Sequence, residues 1–277
     1  MKKNNRSSST HHPINSSTRQ PINSSTPQLV NSSTPQPALT IAGFDPSSGA
    51  GITSDIKTME AHSVYGLGVC TGVTVQNDVK FEYVSWIEKS IIIQQIDVLF
   101  ERFEIDYVKI GLVENLQTIG EIIFHLKQKN NQIRIIWDPI LKASAGFEFH
   151  RKLDINLLEK ICKNIYLITP NTNEFERLFG NKNPQNIVQK YTCNLLLKGG
   201  HTEGDTVIDT LFTNHKIHHT KQLRSKRDKH GTGCVLSTTI LTKLTQGKSL
   251  PDACREAQDY IVRFINSNDS HLGHHNY

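Results

Sequence analysis

No C-x-x-C pair occurs in this 277-residue chain, and its five cysteines, Cys70, Cys162, Cys193, Cys234 and Cys254, are odd in number and widely spread. That pattern excludes a zinc ribbon or a disulfide framework and points to free thiols in a reducing, cytoplasmic setting. No apolar run approaches the ~18 residues that a bilayer span requires. No apolar segment follows Lys2 and Lys3 as it would in a secretory signal, so neither membrane nor export is expected. Acidic residues are absent from positions 1–37, which hold Lys2, Lys3, Arg6 and Arg19 and so carry four of the five net positive charges. The rest of the chain is close to neutral, which argues against a nucleic-acid partner. Also missing are a Walker loop (G-x-x-x-x-G-K-[ST]), a dinucleotide fingerprint in the first glycine-rich turn, and the H-E-x-x-H of a zinc enzyme, despite 13 histidines.

What is present begins with a repeat of period 8. Pro13–Gln20, Pro21–Gln28 and Leu29–Gln36 each contain Asn-Ser-Ser-Thr, and half of the ten prolines fall in residues 1–37. Such a segment buries almost nothing, so it is expected to be a disordered, low-complexity arm, with one folded domain over residues 38–277. From Ala38 the pattern changes. Strand-like apolar runs at Leu39–Ala42, Leu67–Val75, Tyr107–Ile110, Ile133–Trp137, Tyr166–Thr169 and Asn194–Leu197 alternate with helix-period segments. The helices are expected near Ile52–His62, Ile91–Glu104, Leu116–Lys129, Ile155–Lys163 and Thr172–Phe179. A hairpin over Thr206–Phe212 and Lys216–Thr220 and two helices, Gly233–Gln246 and Pro251–Asn266, complete the chain. Regular alternation predicts an α/β fold with a mostly parallel sheet covered on both faces. In such sheets ligands bind beyond the carboxyl ends of the strands.

The unusual residues cluster in those loops. His230-Gly231-Thr232-Gly233-Cys234 runs directly into a helix, whose first N–H groups lack internal partners and lie at the positive end of its dipole. This is an anion site, suited to a phosphoryl group in flight, and a thiol at that position is expected to have a lowered pKa. A glycine-rich turn capped by Thr232, with a structural cysteine, is the alternative reading. Thr40–Gly51 (TIAGFDPSSGAG) packs three glycines and a proline between strand and helix, with Asp55 about one turn later. Thr169-Pro-Asn-Thr-Asn-Glu174 offers Asn171 and Glu174 either as a capping box or as an amide and carboxylate around magnesium. Leu197-Lys198-Gly-Gly-His201 ends a strand with a cation and bare backbone, and Val73-Thr-Val-Gln76-Asn77 ends one with two amides. An amide offers one acceptor and two donors to a polar ring edge. Asp138-Pro139 ends the fourth strand in a similar place.

In this order the segments TIAGFDPSSGAGI, VTVQN, KIG, DPI, ITPNTNE, KGGH and HGTGC resemble the hydroxymethylpyrimidine and hydroxymethylpyrimidine-phosphate kinases of thiamin biosynthesis, within the ribokinase superfamily. The resemblance spans essentially Ala38–Ile265. It implies a ribokinase-like three-layer α/β/α fold and ATP-dependent phosphorylation of 4-amino-5-hydroxymethyl-2-methylpyrimidine and of its monophosphate, with ATP and Mg²⁺. It further implies that Gly43, Asp55 and Gln76 contact the pyrimidine and that Ile140 walls the pocket. Asn171 and Glu174 would organise magnesium, Asn171 through water, and Lys198 would meet ATP phosphates. Gly231, Thr232 and Gly233 would form the anion hole, with Cys234 where most sugar-kinase relatives carry an aspartate base. Close relatives often form homodimers. The sequence departs from the family pattern at Phe44 (usually small), at Ser48 (commonly Gly), at Leu112 (for a methionine), in the longer Lys142–Gly146 loop, and in the chain end His271–Tyr277, where a Gly-rich segment is usual. Two other readings stay open: a pyridoxal kinase of the same branch and a catalytically silent pyrimidine sensor.

Overall fold

Short runs rich in Val, Ile and Leu form the strands, and their near-continuous apolarity has a simple cause: the central strands are covered on both faces. The computed structural model describes residues 36–141, 153–200 and 204–275. In chain order the elements are β1 (Pro37–Phe44), α1 (Gly51–Ala61), β2 (Tyr65–Gln76), β3 (Phe81–Trp86), α2 (Lys89–Phe100), β4 (Tyr107–Ile110), α3 (Leu116–Lys129), β5 (Arg134–Trp137) and α4 (Ile155–Cys162). They continue with β6 (Leu167–Ile168), α5 (Thr172–Phe179), α6 (Pro184–Tyr191), β7 (Asn194–Leu197), β8 (Thr206–Phe212), β9 (Ile217–Leu223), α7 (Thr232–Thr245) and α8 (Leu250–Ile265). All nine strands join one sheet in the order β3-β2-β1-β4-β5-β6-β7-β8-β9. The run from β2 to β7 is parallel, and the two margins are antiparallel, β3 against β2 and the β8–β9 hairpin against β7.

Successive side chains of a strand point to opposite faces, and the core divides accordingly. Leu39, Ile41, Ile135, Trp137 and Leu195 belong to one apolar cluster, with residues of α2 to α6. Their neighbours Ala38, Ile136 and Leu196 belong to a second, with residues of α7 and α8. The sheet is thus the middle of three layers, as the alternation predicts.

Local chemistry sets the helix starts. Asn115, Asp154, Asn183 and Ser249 each accept a hydrogen bond from a backbone N–H in the first turn of α3, α4, α6 and α8. Two elements have no counterpart in the sequence reading, β3 and α6. β3 is a half-exposed margin strand whose pattern FEYVSW lacks a clean apolar alternation. α6 has only eight residues, and its signal was the pair Asn183-Pro184, a cap followed by proline in the first helical turn. β1 starts at Pro37, one residue before the expected domain start. The expected arm otherwise falls outside the described residues, as does the Lys142–Gly146 loop. Among the described residues, no helix is long and apolar enough to cross a membrane.

Candidate active site

Two glycine-rich loops stack at the carboxyl end of the sheet, the one leaving β1 and the one entering α7. Gly51 has φ of 62°, and a Cβ there would stand 2.2 Å from the Gly43 carbonyl oxygen. Gly231 has φ of 79°, and its Cβ would stand 1.9 Å from the Gly49 carbonyl oxygen. Both positions therefore require glycine on conformational and steric grounds. The loops are joined by Asp45, whose Oδ2 lies 2.9 Å from His230 Nε2 and accepts the Ala50 N–H at 2.9 Å. Burial works against the Asp45 carboxylate, but His230, Ser47 and the Ser47 and Ala50 amides outweigh it and hold its pKa at about 2.

Between these loops and the ends of β5, β6 and β7 lies a charged centre. Lys198, just after β7, has its Nζ 2.9 Å from Asp138 Oδ1 and 3.8 Å from Glu174 Oε2. A Cβ on Gly233, in the first turn of α7, would lie 3.5 Å from the same ammonium. No side chain caps α7, so the Thr232-capped turn of the alternative reading is absent and the helix start is open to an anion. Asp138 also accepts from Thr169 at 3.0 Å and from Ser237 at 3.1 Å. Burial opposes its charge, yet Lys198 and Lys109 more than compensate and lower its pKa. The Asn171–Glu174 capping box is fully formed: Asn171 Oδ1 accepts the Glu174 N–H at 2.9 Å, and Glu174 Oε2 accepts the Asn171 N–H at 2.8 Å. Burial raises the Glu174 pKa against the pull of Lys198, with Asp138 adding to the rise. Capping and a charged role are thus compatible, because Glu174 keeps its other oxygen.

A second acid–lysine pair lies beneath. Lys109 of β4 donates to Asp55 Oδ1 at 2.6 Å, with both side chains sealed from solvent. Asp55 also accepts from Thr40 at 2.5 Å and from Thr238 at 2.7 Å. Asp55, expected to contact the pyrimidine, is in the ligand-free protein the buried counter-ion of Lys109. Cys234 is buried beside both pairs. The expected lowering of its pKa is corrected, since burial pushes the thiol up to about 11, Asp55 and Asp138 add to the rise, and Lys109 opposes it. Gly43 faces Leu112, whose Cδ2 would lie 3.0 Å from a Cβ there. A Cβ on Gly111 would meet Ala42 at 3.3 Å and both Ile140 Cδ1 and Lys109 Nζ at 3.8 Å, which sets Ile140 above the buried pair. Gln76 ends β2 at a bulge beside Phe81, two residues beyond Thr74, whose hydroxyl reaches the Phe44 carbonyl at 2.9 Å.

The profile of the phosphomethylpyrimidine kinase family matches residues 45–277. The chain belongs to that family. This kinase is 34% identical to the hydroxymethylpyrimidine/phosphomethylpyrimidine kinase of Aquifex aeolicus over 247 residues, 85% of this chain and 96% of the relative. It is 32% identical to the crystallised phosphomethylpyrimidine kinase of Clostridium difficile, with a TM-score of 0.71 over 82% of this chain and 98% of the other. A pyridoxal kinase of Staphylococcus aureus, solved with ADP, shares the fold at a TM-score of 0.73 and 21% identity, covering 86% of this chain and 94% of the other. The fold is thus ribokinase-like and the enzyme a phosphotransferase. The family match takes in the terminal segment His271–Tyr277, which the sequence reading had set apart.

Sequence reasoning left several members of the kinase's site without a role. Lys109 stands in the run YVKI of a central strand, where a buried ammonium demands an acid, and that demand was the signal for the Asp55 pair. Asp138 was noticed only as a strand end. Ser237 and Thr238 carry no signal at all, because Ser and Thr in an apolar helix read as filler.

Proposed function

We propose that this kinase transfers the γ-phosphoryl group of ATP to the hydroxymethyl oxygen of 4-amino-5-hydroxymethyl-2-methylpyrimidine, and then a second one to the monophosphate formed. In the first transfer the alcohol oxygen forms a bond to phosphorus, the bond to the ADP oxygen breaks, and the hydroxyl proton leaves to a base. The observation that carries the reading is the approach of Lys198 to Gly233 at an uncapped helix start, beside a buried thiol. An ammonium and free N–H groups facing one point suit the charge that spreads over a transferring phosphoryl group. Gly231, Thr232 and Gly233 are the anion hole in this reading, and Lys198 touches the ATP phosphates. Gln76 offers its amide to the ring's amino edge, with Gly43 and Ile140 as walls.

Cys234 serves as the base through its minority thiolate, since the thiol is protonated near neutral pH in the free protein. The second transfer has a nucleophile that is already anionic and needs no base. The donor set also fits magnesium: Asp138 and Glu174 bring two carboxylates to one ammonium, all oxygen donors, and magnesium is commonly held by one or two carboxylates with substrate phosphates. Magnesium there would offset phosphate charge, with Asn171 reaching it through water. Among the described residues no cluster of three acid, histidine or cysteine side chains would hold a metal unaided. Five free thiols support a cytoplasmic setting, and residues 1–36, which precede β1, are dispensable to this chemistry. The test is ADP release with hydroxymethylpyrimidine, its monophosphate or pyridoxal as acceptor, with and without Mg²⁺. Magnesium-dependent release with the two pyrimidines supports the reading, preference for pyridoxal would replace the substrate, and no release with any acceptor would leave a binding protein.

A further inference from the structure

One buried cation has no place in the chemistry above. Lys229, two residues before Gly231, is only 3% exposed. Its ammonium donates to the Asn268 carbonyl and side-chain oxygens, each at 2.8 Å, and to the Ser270 carbonyl oxygen. All three acceptors belong to the segment that follows α8, and all are neutral. Among the described residues no carboxylate pairs with this ammonium; the adjacent Asp228 side chain accepts the Lys229 backbone N–H instead, at 2.9 Å. Burying a full charge against neutral oxygens alone is costly unless the site is built around it. The cage is also spliced to the catalytic loops. The next amide, His230 N–H, donates to the His271 carbonyl at 2.9 Å, and Leu272 Cδ2 would lie 2.8 Å from a Cβ on Gly49. Farther on, His275 packs against Phe264 with ring centroids 4.9 Å apart.

We propose that Lys229 is a positioning residue: its ammonium is a tethered cation that clamps the Asn268–Leu272 turn over the two glycine-rich loops and so fixes Gly231–Gly233 for the phosphoryl group. The clamp explains how a loop with left-handed Gly231 and no side-chain cap is held still. It rests on the reading of Gly231–Gly233 as the anion hole. The cage has a chemical signature, because three convergent neutral oxygens that hold an alkylammonium also fit a free ammonium or methylammonium ion once the side chain is cut back.

The experiment compares wild type with Lys229→Ala, and with Asn268→Ala, which removes one cage oxygen and keeps the lysine. Each is assayed in NaCl, ammonium, methylammonium or tetramethylammonium chloride at equal ionic strength. The expected result is a loss of about ten- to a hundred-fold in kcat/KM for ATP in Lys229→Ala, in line with removal of hydrogen bonds to a charged group. KM for the pyrimidine should stay unchanged, ammonium and methylammonium should restore activity, tetramethylammonium should not, and wild type should respond to none of them. Without any substrate, methylammonium should raise the melting temperature of Lys229→Ala and not that of wild type, a readout independent of the kinase reading. Asn268→Ala should show a smaller loss in the same parameter. Full activity in Lys229→Ala would overturn the proposal. So would a loss that ammonium ions relieve neither in rate nor in melting temperature. If Lys229→Ala does not fold, an unchanged kcat/KM for ATP in Asn268→Ala would overturn it instead. A wild type inactive on every acceptor would fault the substrate reading and leave the cation-dependent melting shift to judge the cage.

Discussion

His230 Nε2 lies 2.9 Å from Asp45 Oδ2, across 185 positions of sequence, and this contact joins the loop that leaves the first strand to the loop that opens the last-but-one helix. The carboxylate is held at about 2, below its ordinary 3.8. A depressed acid contributes stability that is complete above the unfolded pKa and is lost as pH falls through the folded one. The contribution amounts to roughly 2 kcal/mol, present above about pH 4 and gone near pH 2. Asp45→Asn should therefore be less stable than wild type at neutral pH, and the difference in urea-unfolding free energy should shrink as acid is added. A constant difference across that range would show that the charge of Asp45 is not what stabilises.

The Lys109–Asp55 pair is sealed, so removing one partner strands the other. Lys109→Met should cost about 3–5 kcal/mol, read as a fall in the denaturation midpoint. Lys109→Met with Asp55→Leu, which removes both charges, should recover much of it. A single variant as stable as wild type would mean that water reaches Asp55.

Cys234→Ala should separate the two phosphorylations. Loss of a positioned base costs about 10²–10⁴-fold where a neutral hydroxyl attacks, and little where the nucleophile is a phosphate oxygen. In wild type, a thiol near 11 predicts that kcat/KM for the alcohol rises about tenfold per pH unit between roughly pH 7 and 9, while the monophosphate reaction does not follow that rise. Equal losses in both reactions, or parallel pH profiles, would assign the thiol to packing alone.

Gln76→Leu should raise KM for the pyrimidine and leave KM for ATP unchanged. An unpaired polar ring edge costs ~1–3 kcal/mol, which is about five- to a hundred-fold in affinity. An unaltered KM for the pyrimidine would remove Gln76 from the pocket.

The sequence made the layers and the site loops legible because strand-end glycines, amides and charges interrupt apolar runs that otherwise say only that a strand is buried. Pairings remained out of sight. Asp55 looked like a helix-start acid because nothing local marks Lys109, 54 residues later, as its partner. The thiol of Cys234 looked activated because a helix terminus is visible in sequence and burial beside two carboxylates is not. Ser48 is a converse case: it was noted only as a replacement for a common glycine, and its φ of 60° supplies the physical reason for that preference.

Ser237 and Thr238 are consecutive in α7, yet the first donates to Asp138 and the second to Asp55. Neighbours on a helix differ by about 100° in direction, so the helix works like a key with two adjacent teeth, each fitted to a different lock. Both acid–lysine pairs are thereby indexed to a single rotational phase of α7. One residue inserted between Gly233 and Ser237 would turn both teeth out of register together, leaving the composition of the site intact and its wiring lost. Sequence drift in this kinase is therefore constrained less by which residues occupy the first two turns of α7 than by how many there are.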